Sequence, residues 1–256
     1  MNDTMKILLS HRSVRKYENR DVEGEVLDQI IKAVQAAPNW VNLQHVSVVA
    51  VKDRERLKMF SKLCGGQKQI AQAPAFFIFC ADFYRTWLAC QSKGQKFDNV
   101  MSRIDNLIVG ANEVGIALGT AVAAAESFGL GTVPIGDVRL HALDMVQELN
   151  LPKYVLPMIG LCIGYPEENP GIKPRLPKEA VYFEERYKTE LGDILEQYDT
   201  IYAEYLKKRP WNSRVGNFSQ LTADFYTSDY NHYPEVAELL KQQGFAGEDK
   251  NNTRYL

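Results

Sequence analysis

From about Asn99 to Phe128 the chain has helical character over an unusually long stretch, and its surface there is thin: Gly110, Gly115, Ala117 and Gly119 lead into a run of alanines. Small residues let a second helix approach closely. A helix of this kind finds too few partners inside one globule, so the segment points to a second copy of the chain. Gly129 and Gly131 end it, a short strand follows in "GLGTVPIGDVR", and the chain turns at Gly136.

The rest of the first two thirds reads around that helix. "EGEVLDQIIKAVQAAP" places Val26, Leu27, Ile30, Ile31 and Val34 at helical spacing and stops at Pro38. "HVSVVAVKD" and "APAFFIFCAD" read as buried strands, and "VLPMIGLCIGYP" as the last strong strand. From residue 166 the texture changes to proline, charge and tyrosine, which predicts an arm, 166–256, leaving the globule within a single domain of 1–256. Helices are expected at "LEQYDTIYAEYLKK" and "YPEVAELLKQQGF", separated by the polar loop "RPWNSRVGN".

With 45% hydrophobic and 24% charged residues the chain has the apolar mass for a full core. Its 32 acids against 30 bases argue against a protein built to coat nucleic acid or a membrane. The only apolar run near the start is "ILL" at 7–9, and no stretch approaches a membrane span, so a cytoplasmic protein is expected. Cys64, Cys80, Cys90 and Cys162 lie far apart without a C-x-x-C pair, the pattern of buried free thiols, and no metal site is expected. The N-x-S/T triplets at Asn2, Asn217 and Asn251 read as chance matches.

Against this balanced background, "HRSVRKYENR" packs His11, Arg12, Arg15, Lys16 and Arg20 around the single acid Glu18. One reading is a set of surface salt bridges to acids such as Glu23 and Glu25. The other is an anion site. A second knot, "GIKPRLPK", brings Lys173, Arg175 and Lys178 together on a backbone stiffened by prolines. The two knots could serve one phosphate, whose oxygens suit arginine's planar fork.

"LCGGQKQIAQAP" sets Gly65 and Gly66 before Gln67, either a turn that brings backbone and an amide to a planar ligand or a simple helix stop with a surface Gln. The glycines at 129, 131 and 136 miss the G-x-G-x-x-G spacing and follow a helix, so a Rossmann reading fails. No phosphate-binding P-loop, H-E-x-x-H or G-x-S-x-G is present. His45, His141 and His232 are isolated and read as structural. Tyr and Trp show no stacking pattern for single-stranded nucleic acid.

Taken in order, "HRSVR" at 11–15, "GGQ" at 65–67, "FCAD" at 79–82, "AAESFGLG" at 124–131, "PIG" at 134–136 and "KPRLP" at 173–177 resemble the nitroreductase superfamily. The likeness is to its oxygen-insensitive NAD(P)H nitroreductase and flavin reductase branch, over nearly the whole chain. It implies an α+β fold with a central mixed or antiparallel sheet flanked by helices, the long helix in the core of a homodimer, and an extended C-terminal arm. It also implies one FMN per subunit at the dimer interface. His11, Arg12, Ser13, Arg15 and Arg175 are carried over to the flavin's phosphate and ribityl end, Lys173 to the ring's pyrimidine side and Gln67 to its polar edge. The backbone around Ile135, Gly136 and Asp137 is carried over to the neighbourhood of N5. No acid or base is assigned, because the chemistry belongs to the flavin.

The resemblance then implies hydride transfer from NADPH or NADH through FMN to nitroaromatics, quinones or free flavin, by a ping-pong mechanism. Small-molecule acceptors are the partners expected besides a second copy, with no nucleic acid and no membrane. The chain departs from the pattern in three places. "APNWVNLQ" stands where relatives carry a serine-rich run, so that Asn39, Val41 and Gln44 become the flavin contacts there and Trp40 reshapes the pocket. Asp137 replaces a small residue. In "NSRVGNFS", Arg214 is the expected partner of the NADPH 2′-phosphate, with Arg209, Lys207 and Lys208 as helpers, but Val215 and Phe218 fall off the pattern. Two alternatives stay open: another flavin enzyme on the same fold, a reductive dehalogenase or a flavin-fragmenting oxygenase, and an anion-binding protein without redox chemistry.

Overall fold

A strand that is apolar at seven successive positions has no face for solvent and belongs in the middle of a sheet covered on both sides. β2 (Ala75–Asp82, AFFIFCAD) is buried along its whole length. It pairs antiparallel with β1 (Val46–Val51) on one flank and β4 (Val155–Gly164) on the other, and β3 (Gly131–Ile135) pairs antiparallel with β4 beyond it. The order β1-β2-β4-β3 leaves β1 and β3 at the edges. Hence β1 is mostly half-buried rather than the fully buried strand expected.

The computed structural model describes residues 1–97, 100–101, 103–209, 213–228 and 233–245; Asn99, His232 and Asn251, singled out above, lie outside them. Helices among the described residues are α1 (Asp3–Leu9), α2 (Gly24–Gln35), α3 (Arg54–Leu63), α4 (Lys68–Gln72), α5 (Tyr84–Ser92), α6 (Ile104–Ser127), α7 (Ala142–Glu148), α8 (Gly192–Lys208), α9 (Phe218–Thr227) and α10 (Val236–Gln242). Alternate residues of β2 feed two cores. Phe77, Phe79 and Ala81 pack with Leu27 and Ile30 of α2 and with Val114, Ala117 and Ala121 of α6. Phe76, Ile78 and Cys80 face the opposite side, with Leu57 and Phe60 of α3, Ile70 of α4 and Met145 of α7. Cys64, Cys80 and Cys162 are buried free thiols, and Cys90 is half-buried.

Two compact units divide the chain, one built from Met1–Glu168 with Tyr233–Leu256, the other from Asn169–His232. The sheet lies in the first. There α10 returns to the core with Leu239, Phe245 just beyond it is buried too, and Gln243 O accepts the Tyr154 N–H at 3.0 Å. The second unit holds α8 and α9, clasped by Tyr198, Tyr202 and Phe218 with ring centroids 5.3–6.1 Å apart. No sequence signal announced α9. Asn217 starts it by accepting the Gln220 N–H at 2.8 Å, and Asn2 caps α1 in the same way from Met5 at 2.9 Å. Two of the three N-x-S/T asparagines are therefore helix N-caps.

α6 has two unlike faces. Gly110, Glu113, Val114, Ala117, Ala121 and Ala125 are buried, at i, i+4, i+7 spacing. On the opposite face Ile104, Ile108 and Ile116 are exposed, and a Cβ added at Gly115 or Gly119 would meet nothing within 4 Å. By length and composition alone α6 is apolar enough to cross a membrane, which corrects the expectation that no stretch approaches a span. The interleaved glycines and Glu113 mask this in the sequence.

The tightest point of the sheet is Gly160 on β4, opposite Ile78, where an added Cβ would lie 2.4 Å from the Phe76 ring and 3.1 Å from Val138. Phe76 is fully buried and has no room to yield. Gly160→Ala should therefore destabilise the fold by about 1–3 kcal/mol through overpacking. That corresponds to a fall of roughly 2–12 °C in Tm for a domain of this size, measured by thermal unfolding. An unchanged Tm would mean that the core is looser than this packing.

Candidate functional site

Residues His11–Lys16 run beside the start of β3. Ser13 bridges Thr132 in parallel, and the Val14 N–H donates to Thr132 O at 2.9 Å. Val14 packs so closely on Gly131 that a Cβ there would lie 2.8 Å away, which explains a glycine at the first position of the strand. Glu168 accepts the N–H groups of Arg15 and Lys16 at 2.6 and 3.1 Å. The backbone is fixed from both sides, yet the guanidiniums are not neutralised. Among the described residues the guanidiniums of Arg12 and Arg15 donate only to the carbonyls of Ser10 and Ser13, at 3.2 and 3.3 Å. Neither forms an ion pair among the described residues.

The salt-bridge reading holds for Arg20, five residues after Arg15. Arg20 pairs with Glu23 at 2.7 Å and lies 3.8 Å over the Tyr165 ring. The Tyr165 hydroxyl and Arg20 together hold the Glu23 carboxyl down at about 2. His11 is also partnered: its Nδ1 lies 2.7 Å from Glu126 near the end of α6, whose carboxylate also accepts the Thr132 hydroxyl at 2.8 Å.

At the other end of β3 a 3-10 turn, Gly136–Arg139, follows the buried Ile135. Its first N–H groups have no acceptor within the turn. Asp137 accepts from the Gln67 amide and from the Tyr233 hydroxyl, the latter at 3.0 Å, and Gln69 donates to the Gln67 carbonyl oxygen. Gly65 and Gly66, at φ +71° and +76°, end α3, and Ser61 Oγ donates to Gln67 O at 2.8 Å. The helix-stop reading is thus right about the glycines. Gln67 itself is no loose surface amide, because both ends of it are engaged. Burial, and then Asp137, push the Cys64 thiol up to about 12.

Asn39, Val41 and Gln44 sit at the opposite edge of the sheet, in the loop leading to β1. Val41, Asn42 and Gln44 have φ of 52°, 57° and 57°, left-handed backbone that a β-branched valine resists. Such residues cost on the order of 1–3 kcal/mol each and persist only where surroundings over-determine them. Here two side chains do so. Glu113 of α6, 3% exposed, accepts the Trp40 N–H at 3.0 Å and the His45 N–H at 2.8 Å, and contacts His45 Nδ1 at 3.0 Å. From outside, Arg85 donates to Gln44 O at 2.5 Å and Val46 O at 3.0 Å, while its other arm meets Ser47 and Asp82 at 2.7 Å. A cavity of about 300 Å³ lies beneath, lined among others by Gln35, Pro38, Asn39, Gln44, Arg85 and Glu113.

Lys173 and Arg175 belong to the second unit, where the Tyr198 hydroxyl donates to Pro174 O at 2.9 Å and fixes the backbone between them. Arg175 is exposed, with no ion pair among the described residues. Arg214 is exposed, tied down among the described residues through its N–H to Leu206 O at 3.4 Å, and Val215 is 88% exposed. Arg209 follows the end of α8, and Lys208 pairs with Glu204 at 3.1 Å.

The first unit therefore gathers the predicted residues into three places. His11, Ser13 and Arg15 meet the start of β3, Gln67 meets Asp137 at its end, and Asn39, Val41 and Gln44 lie at the far edge, about 14 Å across three strand spacings. Sequence reasoning missed Glu113, Glu126, Glu168 and Arg85. Glu113 had a signal, a lone carboxylate on the helix face of Gly110, Val114 and Ala117. The others act across long sequence separations, with no local pattern to mark them. Among the described residues no cluster of His, Cys, Asp and Glu could hold a metal ion.

Comparison with known proteins bears on the whole chain. Residues 8–165 match the model of the Nitroreductase family, and residues 173–248 that of the Nitroreductase family, C-terminal domain. An FMN reductase of Bacillus subtilis strain 168, named for NAD(P)H, is 47% identical over 96% of this chain and 98% of its own length. The oxygen-insensitive NADPH nitroreductase of Salmonella typhimurium is 35% identical over 96% of this chain and 99% of its own. Among solved structures, Bacillus megaterium NfrA2 superposes with a TM-score of 0.93 at 42% identity, covering 97% of this chain and all of that one. With both family models matched in order and relatives aligned end to end, the chain belongs to the nitroreductase family.

Proposed function

We propose that this protein is an FMN-dependent reductase that takes electrons from NAD(P)H and delivers them to nitroaromatics, quinones or free flavin, with reductant and acceptor using the same site in turn. The observation that carries this reading is the pair of un-neutralised guanidiniums, Arg12 and Arg15, on a backbone fixed between β3 and Glu168. Such donors suit a phosphate monoester. The names of two relatives, an FMN reductase and an NADPH nitroreductase, support the same choice.

The residues present fit the flavin. Arg12, Ser13 and Arg15 would hold its phosphate, with His11 oriented by Glu126. Lys173 and Arg175, from either copy, stay assigned to it on the resemblance of their segment. The N–H groups at Gly136 and Asp137, which have no acceptor within their own turn, would meet the ring, with Gln67 braced by Asp137 at its polar edge. When bound, FMN supplies the redox chemistry, accepting hydride from the nicotinamide and passing electrons on. The protein's part is to orient both partners and exclude water.

One copy does not gather the whole set. Glu126, which holds the His11 end, and Glu113, which holds the Asn39–Gln44 loop, lie about 20 Å apart along α6 at 1.5 Å per residue. The loop is better placed to complete the site of a second copy. The exposed face of α6, with Gly115, Gly119 and three isoleucines, supports that arrangement. A glycine inside a solvated helix costs about 1 kcal/mol relative to alanine and gains nothing there. Two of them on one face suit a close helix–helix contact. Sedimentation at micromolar concentration should give a homodimer, and Gly119→Leu should dissociate it with loss of flavin; an active, flavin-loaded monomer would exclude the composite site.

Each charge-assisted contact to phosphate contributes about 1.5–3 kcal/mol. Arg15→Ala and Arg175→Ala should therefore each weaken FMN by roughly 10- to 100-fold in equilibrium titration, and unchanged affinity in both would remove the phosphate assignment. For the reductant, the exposed Arg214 is the proposed partner of the NADPH 2′-phosphate, with Arg209 beside it. An exposed contact is screened by salt, so Arg214→Ala should raise KM for NADPH while leaving KM for NADH nearly unchanged. If both constants move together, Arg214 does not read the 2′-phosphate.

A further inference from the structure

The loop at 39–44 holds three left-handed non-glycine residues although the side chains of Trp40 to Gln44 are all exposed, so no demand of the core imposes that path. The cavity beneath it is lined by a carboxylate and a guanidinium, but neither is available to a ligand. Glu113 is taken up by Trp40 and His45, and Arg85 by Gln44, Val46, Ser47 and Asp82. Each charge holds the backbone of the loop or its continuation, and Arg85 is paired with Asp82 as well. The His45 ring is itself fixed, stacked on Phe83 with centroids 4.3 Å apart.

We infer that Glu113 is a positioning residue: through its hydrogen bonds to Trp40 and His45 it locks the Asn39–Gln44 loop in a strained conformation that shapes the wall of the acceptor pocket. The inference rests on the functional reading above. A carboxylate is required because it alone offers two acceptor oxygens and no donor to two backbone N–H groups pointing at it from either end of the loop. Glutamine has the same shape but one acceptor. However it turns, one of the two N–H groups then faces an NH2 group and loses its partner.

The test combines hydrogen exchange with steady-state kinetics on the FMN-loaded protein, using NADPH and menadione. Glu113→Gln should speed exchange of the amides at 40 and 45 by about 10-fold or more, since one lost hydrogen bond lowers local opening free energy by that order. It should raise KM for menadione by roughly 5- to 10-fold with kcat within about twofold, the mark of a misshapen binding surface rather than lost chemistry. Glu113→Asp, which keeps both oxygens, should recover part of both effects. Met145→Ala, a buried truncation in the core on the other face of the sheet, should lower Tm without moving either readout. If Glu113→Gln fails to fold, Arg85→Gln, which releases the same loop from its solvent side, should give the same two changes. Faster exchange with an unchanged KM would overturn the inference while leaving the reductase reading intact. Unchanged exchange would show that Glu113 does not hold the loop. A wild-type protein that takes up no flavin would overturn both.

Discussion

Two carboxylates on one helix organise this molecule. Glu126 near the end of α6 takes His11 and Thr132, tying the basic segment to β3, and Glu113, nearer the middle, takes the backbone of the loop before β1. Because the α-helix is rigid and rises a fixed 1.5 Å per residue, the spacing of these two side chains sets the spacing of the two sheet edges' functional segments. The alanines between them let α6 lie close on β2, so the anchors reach their targets over short distances.

The same helix explains why the proposed catalytic unit is two chains. Its buried face is committed to the sheet, and its other face, with Gly115, Gly119 and three exposed isoleucines, is the one proposed to meet a second copy. The flavin proposed for Arg12, Arg15 and the turn after β3 would lie at one edge of the sheet, with the clamped loop at the other. The proposed pairing of two copies across the thin faces of α6 would bring an edge of each kind together. The left-handed backbone at Val41 then makes sense as pre-organisation: the loop is strained before any ligand arrives, so none of the binding energy is needed to order it.

Much of this was legible in the sequence, for identifiable reasons. The apolar run ending at Asp82 read as a buried strand, and Gly129 as a helix stop, because in each case local pattern and tertiary role coincide. β1 was read as more buried than it is, since alternation does not reveal that a strand lies at an edge. The cationic knot was visible, but not the division of labour within it: Arg20 is neutralised by Glu23 three residues away, whereas Arg15 is steadied through its backbone by Glu168 from across the chain. The engagement of Gln67 with Asp137, and of Arg85 with the loop, depends on contacts between residues far apart in sequence, which no periodicity encodes.

The central claim, that this chain holds a flavin and uses it for two-electron transfer, is tested most directly by anaerobic titration of the purified protein with NADPH, followed in the visible spectrum. The account predicts a yellow protein whose flavin absorbance is bleached by about one equivalent of NADPH per subunit and returns on addition of one equivalent of a quinone, as electron balance for a hydride donor requires. A colourless protein that does not take up FMN, or a yellow one that neither nicotinamide nucleotide bleaches, would contradict it.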